Sequence, residues 1–269
     1  MIDADQFTMR IAALSDIGLV RNKNEDAFWF DTDRSIFILA DGLGGHRAGE
    51  VAAALAVRIV AERLSLAVDS GLKDIRLIDA MQEAFLVASE EVYNSARESE
   101  KYSGMACSLI AGVYSHHHCY LAHVGDSRAY LFFQDTLSLM TVDDTPVAAL
   151  IKRGYLLPEK GKSHQLKNLL IKTIGTKAEV DANISRFPVK PKERLLLCSD
   201  GLWSTVDNKT ICETLLRLPE PEKVCRDLID AARARGGADN ITVIVADVPD
   251  HAEGDPADPK TAEIPKLRS

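Results

Sequence analysis

Apolar positions recur along this chain with two different periods, and the switches between them mark out its elements. Residues 7–14, with Ile11 and Ala13 among the apolar positions, read as a first strand, and the polar stretch Ser15 to Asn24 as a connection. Ala27-Phe28-Trp29-Phe30 and the β-branched, aromatic run Ile36-Phe37-Ile38-Leu39-Ala40 read as a hairpin turned at Asp31-Thr32-Asp33. The period then lengthens. Ala48 to Val68 is alanine-rich, with Arg58 and Glu62 one turn apart and Glu50 near its start, and predicts a long helix. Residues 73–97 predict a second, with Ile78, Met81, Phe85, Ala88 and Val92 at helical spacing.

From 105 to 141 short apolar segments return (Leu109–Tyr114, Cys119–Val124, Ala129–Phe133, Leu137–Met140), broken by polar turns, and predict an antiparallel meander. The triplet His116-His117-His118 falls in one of these turns, where consecutive side chains point in different directions, so it reads as surface rather than as a metal site. Residues 142–172, rich in Pro, Gly and Asp, read as an excursion with short helical stretches such as Val147–Arg153. Strands follow at 183–188 and 194–199, helices at about 207–217 and 221–235, and a last strand at 240–245. After Pro249 the sequence is proline- and charge-rich and reads as a disordered tail over 249–269, leaving 1–248 as one domain. Helices segregated from antiparallel strands give an α+β layered architecture.

Composition changes this picture little but excludes some functions. Apolar residues make up 46% and charged residues 27% of the 269, an ordinary globular balance. A net charge of −8 and a pI near 5.4, with no basic run, argue against a nucleic-acid surface. Cys107, Cys119, Cys198, Cys212 and Cys225 form no Cys-x-x-Cys pair and read as reduced structural thiols. The acidic start lacks the basic-then-apolar order of a secretion signal and no long uncharged apolar span occurs, so the chain is expected to be soluble, cytoplasmic and off the membrane.

The candidate chemistry lies at strand ends. Apolar runs stop at an aspartate beside a glycine three times, at Asp41-Gly42, Gly125-Asp126 and Asp200-Gly201. Each alone is an ordinary turn. Together, converging carboxylates would repel one another unless cations neutralised them, and hard oxygen donors suit Mg²⁺ or Mn²⁺ better than zinc.

In order along the chain, Ser15-Asp16-Ile17-Gly18-Leu19-Val20-Arg21-Asn22-Lys23-Asn24-Glu25-Asp26, Asp41-Gly42-Leu43-Gly44-Gly45-His46 with Gly49-Glu50, Val124 to Tyr130, Leu197 to Trp203, and Asp239-Asn240-Ile241-Thr242 resemble the bacterial metal-dependent protein phosphatases of type 2C. The resemblance runs from about residue 9 to 247. It implies a four-layer αββα sandwich, two central antiparallel sheets flanked by pairs of helices, with a metal site at one end. It also implies that Asp41 bridges two Mn²⁺ or Mg²⁺ ions, that Gly42 offers its carbonyl to one, that Asp200 and Asp239 complete the other, and that Asp126 with Asp200 holds a third, looser ion. Glu25 and Asp26 match residues that act through metal-bound waters. Arg21 matches the arginine that grips the phosphate through its bidentate fork. The implied reaction is hydrolysis of phosphoserine and phosphothreonine by in-line attack of a metal-bridging hydroxide, the two ions about 3.5–4 Å apart.

Leu43 departs from the animal members, which carry a histidine directly after the Asp-Gly pair. Either His46 or a metal-bound water is then left to protonate the leaving oxygen. Asp143-Asp144-Thr145-Pro146 also departs from the usual Asp-His-Ser or Asp-His-Thr, and residues 142–172 correspond to the flap beside the site. Phosphoproteins and a cognate serine/threonine kinase are the implied partners of a monomeric enzyme. A pseudophosphatase that only binds a phosphoprotein, and a two-metal hydrolase of small phosphoesters, are the alternatives; retention of Asp41, Asp126, Asp200, Asp239 and Arg21 weighs against the first.

Overall fold

The computed structural model of the chain describes residues 9–43, 48–161, 164–167 and 169–248. Its strands form two antiparallel sheets of five. The first runs in the order β1 (Arg10–Asp16), β10 (Ile241–Asp247), β9 (Arg194–Cys198), β6 (Arg128–Phe133) and β7 (Thr136–Leu139). The second runs β2 (Asp26–Asp31), β3 (Ile36–Gly42), β4 (Cys107–Ser115), β5 (His118–Val124) and β8 (Asn183–Pro188).

Strands buried on both faces read as continuous apolar runs, and the period of two then decides which layer each side chain enters. In β3, Phe37 and Leu39 point between the sheets, where they meet Ile110, Leu121, Leu195, Leu197 and Ile244. Ile36, Ile38 and Ala40 point outward beneath two helices, α1 (Gly49–Asp69) and α2 (Ile75–Glu98). The small residues Ala52, Ala53, Ala56 and Ala61 on α1 let it lie close on the second sheet. On the opposite outer face, α6 (Asn208–Arg217) and α7 (Pro221–Ala234) bury Ile211, Leu215, Val224, Leu228 and Ile229 against the first sheet. Asp207 caps α6, its side chain accepting from the Thr210 N–H at 2.9 Å, and Pro221 starts α7 where its missing N–H costs nothing. The layering is thus helix pair, sheet, sheet, helix pair, as expected.

Two expectations need correction. The meander over 105–141 is not one sheet: β4 and β5 belong to the second sheet, β6 and β7 to the first, and the chain crosses between them at Gly125-Asp126-Ser127. Gly125, at φ +103°, takes a backbone conformation that a side chain would strain. The first strand runs over Arg10–Asp16 rather than 7–14, because its pairing to β10 extends through Ser15 and Asp16. A short helix, α5 (Asp200–Trp203), was not foreseen. The excursion holds α3 (Pro146–Lys152) and α4 (Pro158–Gly161); His116 and His117 form the expected turn, at positive φ, but His118 opens β5 instead of lying in it. Residues 249–269, read as a disordered tail, lie outside the described residues. All five cysteines are free thiols. No helix among the described residues is long and apolar enough to cross a membrane.

Candidate metal centre

Antiparallel pairing brings the ends of β1, β3, β5 and β9 and the starts of β2, β4, β6 and β10 to one edge of the sandwich. The acidic residues sit on these ends. Asp26 and Asp41 are direct cross-strand partners, so two like charges face each other on one side of the β2–β3 pair, an arrangement that ordinarily destabilises a sheet. Asp126 lies in the crossing between the sheets, Asp200 opens α5 immediately after β9, and Asp239 precedes β10.

Burial and neighbouring carboxylates raise the proton affinity of four of them. Asp41 is pushed well above the usual carboxylate range, first by burial and then by Asp26, Asp200, Asp126 and Asp239. Burial, followed by the charge of Asp200, pushes Asp126 up to about 7. Asp26 is likewise raised to about 7 by burial, although hydrogen bonds from Thr242 and Ser199 oppose the shift. Asp200 reaches about 6, chiefly through burial and then Asp239. Asp26, Asp41 and Asp200 are half-buried as whole residues.

Guanidinium groups and hydroxyl donors offset part of this charge. Against burial, the neighbouring Asp41 carboxyl and the charge of Arg21 lower the proton affinity of Asp200. Arg21 donates from Nη2 to Asp239 Oδ2 at 2.8 Å, a bond that raises the arginine's own affinity for its proton. Asp26 Oδ2 accepts from Thr242 Oγ1 at 2.6 Å and Ser199 Oγ at 2.9 Å, while its buried Oδ1 has no hydrogen-bond partner. Among the described residues no three His, Cys, Asp or Glu side chains are drawn into a ready-made ligand cage. The donor set nonetheless fits hard divalent cations: all oxygen, crowded, partly desolvated, and with one buried oxygen left unsatisfied. Replacing protons by cations would relieve that crowding.

The glycines and the loops complete the cradle. Gly42 is pressed against the start of α1, where any Cβ would overlap the backbone of Gly49, and its N–H bonds the Glu25 carbonyl at 3.1 Å. Glu25 is raised by burial and then by Glu50, whose own carboxylate is held down by a 2.9 Å bond from Lys23. His46 lies outside the described residues.

Asn240 is a residue whose part the motif alone did not reveal. Its Oδ1 accepts from the Glu25 N–H at 2.8 Å, and its Nδ2 donates to the carbonyls of Ile17 at 3.0 Å and Lys23 at 2.8 Å. One buried amide therefore sutures the 17–25 loop, which carries Arg21 and Glu25, to the residue next to Asp239. Asp16 adds a second tie, its carboxylate accepting from Arg233 Nη1 at 2.6 and 2.7 Å and from the Gly18 N–H at 2.8 Å. Asp143 and Asp144 turn inward, onto Arg128 and the Gly125 N–H, and so brace the crossing that carries Asp126.

Comparison with known proteins bears on the family and the fold. The family profile described as Protein phosphatase 2C matches residues 21–241. A serine/threonine protein phosphatase, PstP, of Mycobacterium tuberculosis is 35% identical over 246 residues, which is 91% of this chain but 46% of that protein. This chain therefore spans about half the length of that relative. A serine/threonine phosphatase of Listeria innocua is 31% identical over 242 residues, covering 87% of this chain and 93% of its own. Among solved structures, the catalytic domain of PstP in complex with two manganese ions is similar at 35% identity with a TM-score of 0.79, covering 90% of this chain and 99% of that one.

Proposed function

The chain belongs to the protein phosphatase 2C family, and we propose that it is a cytoplasmic, metal-dependent phosphatase that removes phosphate from serine and threonine residues of proteins, opposing a serine/threonine kinase. One observation carries the reading: carboxylates from both sheets meet at one edge, too crowded to ionise together without added cations, with Arg21 beside them. On this reading Asp41, the Gly42 carbonyl, Asp200 and Asp239 would hold a pair of Mn²⁺ or Mg²⁺ ions, with Asp41 common to both. Asp126 and Asp200 share a third. Glu25 and Asp26 orient the surrounding waters. Bound as a pair, such ions supply a water ionised near neutral pH and neutralise charge on the phosphate oxygens.

The chain's own side chains do the rest. Arg21, on a loop fastened by Asn240 and Asp16, presents a planar guanidinium to phosphate oxygens, and its bond to Asp239 sets its direction of approach. His46, three residues beyond Leu43, or a water, returns the proton to the leaving oxygen. Exposed Leu19 and Val20 on the Arg21 loop, and Tyr155, Leu157 and Ile171 on the segment rooted beside Asp126, offer apolar surface to a protein substrate rather than to a small phosphoester. Residues 1–248 are the catalytic unit.

The test is hydrolysis of a phosphothreonine peptide and of p-nitrophenyl phosphate with Mn²⁺ and with chelator. Turnover is expected only with metal, and Asp200→Asn, still folded by circular dichroism, is expected to lose at least about a hundredfold. Metal-replete protein that binds the phosphopeptide and cleaves neither compound would make it a scaffold instead.

A further inference from the structure

The main chain of Asp126 is held from several directions by side chains that none of the motifs assigns a role. Its carbonyl accepts a hydrogen bond from Trp203 Nε1 at 3.0 Å. The preceding Gly125 is pinned twice by Asp144: its N–H donates to Asp144 Oδ2 at 3.0 Å and its carbonyl accepts from the Asp144 N–H at 2.8 Å. Asp144 is fixed in turn by Asn183 Nδ2 at 3.0 and 3.1 Å. The following Ser127 shares a 2.6 Å hydroxyl bond with Ser108.

Trp203 is the member of this set that also touches the other carboxylate's element. It is the last residue of α5, and Asp200 is the first, so the indole spans from the backbone of Asp126 to the short helix that presents Asp200. Its plane is clamped by Arg128, whose guanidinium lies 3.6 Å from the ring centroid. Arg128 cannot swing away, because Asp143 grips it bidentately, Oδ1 accepting from Nε at 3.0 Å and Oδ2 from Nη2 at 2.7 Å. The pair is largely buried, with side-chain exposures of 21% and 11%. A stacked guanidinium held by a bidentate carboxylate is stiff in both distance and angle, which a lysine or a single hydrogen bond would not be.

We infer that Trp203, clamped by Arg128 and Asp143, is a positioning residue that sets the separation of Asp126 from Asp200 and thereby the affinity of the loosest of the bound cations. This rests on the reading of Asp126 and Asp200 as shared ligands of that ion. The reason is geometric. A loosely held cation with few protein ligands gains little from each oxygen unless both are pre-placed, so an error in their spacing is felt first by that ion. The core ions share Asp200 but draw also on Asp41 and Asp239, whose supports, the β2–β3 register and Asn240, are independent of the clamp.

Binding of Mn²⁺ itself, followed by the electron paramagnetic resonance of the free ion, tests this without any assay of turnover. Trp203→Phe keeps the stacked ring and removes only the N–H, and Asp143→Asn keeps the shape and removes the clamp's charge. Both are expected to weaken the loosest class of Mn²⁺ sites about tenfold and to leave the tighter classes within about twofold. Trp29→Phe, at the chain's other tryptophan, is expected to leave the isotherm unchanged. Asp126→Ala should abolish the loosest class; if it does not, the ligand reading itself fails. If Asp126→Ala abolishes that class but both clamp variants bind like wild type, or lose every class equally, the positioning inference is overturned. Should Trp203→Phe not fold, Asp143→Asn alone decides.

Discussion

Asp26 is half-buried, with one carboxyl oxygen satisfied by two hydroxyls and the other, buried, by no partner. Burial raises its proton affinity to about 7, against an ordinary value of 3.8. The folded, metal-free protein therefore binds more protons than the unfolded chain between those values. Its stability is greatest below about pH 4 as far as this group is concerned, and is lost as the pH rises through 7. Asp26→Asn removes the dependence. In chelator at pH 8 the variant is expected to be more stable than wild type by on the order of 2–4 kcal/mol, the difference shrinking toward pH 4. Urea denaturation at both pH values measures it, and a difference independent of pH would contradict the account. At this scale the sequence was legible wherever chemistry is local: the aspartates at 41, 126 and 200 each end an apolar run beside glycine. Trp203 and Asn240 were not, because their bonds reach residues 77 and more than 200 positions away, and no local pattern records such partners.

At the scale of elements, glycines decide how closely the layers approach. Gly112 lies directly across from Phe37 in the β3–β4 pair, and a Cβ there would overlap the aromatic ring between the sheets. Gly112→Ala is expected to cost about 1–3 kcal/mol of stability by overpacking, with Mn²⁺ dependence unchanged. Gly42 meets a different neighbour. A Cβ there would overlap the backbone at the start of α1, so Gly42→Ala pushes that helix away from the end of β3, where Asp41 stands. Its Mn²⁺ requirement is expected to rise at least about tenfold beyond that of Gly112→Ala. Equal effects on metal dependence in the two variants, measured by titrating Mn²⁺ against peptide hydrolysis and by thermal melts, would refute the distinction. The strands themselves were readable, since apolar runs of five to nine residues bounded by turns leave little choice. Their allotment to sheets was not. With both faces buried, β5 and β6 look alike in sequence, and only the left-handed Gly125 marks where the chain leaves one sheet for the other.

For the whole molecule, the acidic cluster draws on both sheets: Asp26 and Asp41 from one, Asp200 and Asp239 from connections of the other, and Asp126 from the crossing between them. A chain of net charge −8 thus concentrates like charge where its two halves meet. Cations bound there would join the sheets as well as serve chemistry, and ligands that bind only the folded state stabilise it by mass action, by about 2.7 kcal/mol at a hundred times Kd. For a domain of this size that corresponds to a rise in Tm of roughly 5–10 °C. Protons compete for the same oxygens. Asp26 and Asp126, raised to about 7, and Asp200, raised to about 6, are mostly protonated at pH 5.5 and mostly ionised at pH 8. The Mn²⁺-induced rise in Tm is therefore expected to be large at pH 8 and to shrink by more than half at pH 5.5, while chelator at pH 8 gives the lowest Tm of all. Differential scanning calorimetry of the same protein in the four conditions reads this directly. A Tm that ignores Mn²⁺ at pH 8 would mean that the carboxylates settle their repulsion among themselves, with protons and Arg21, and that no cation belongs between the sheets.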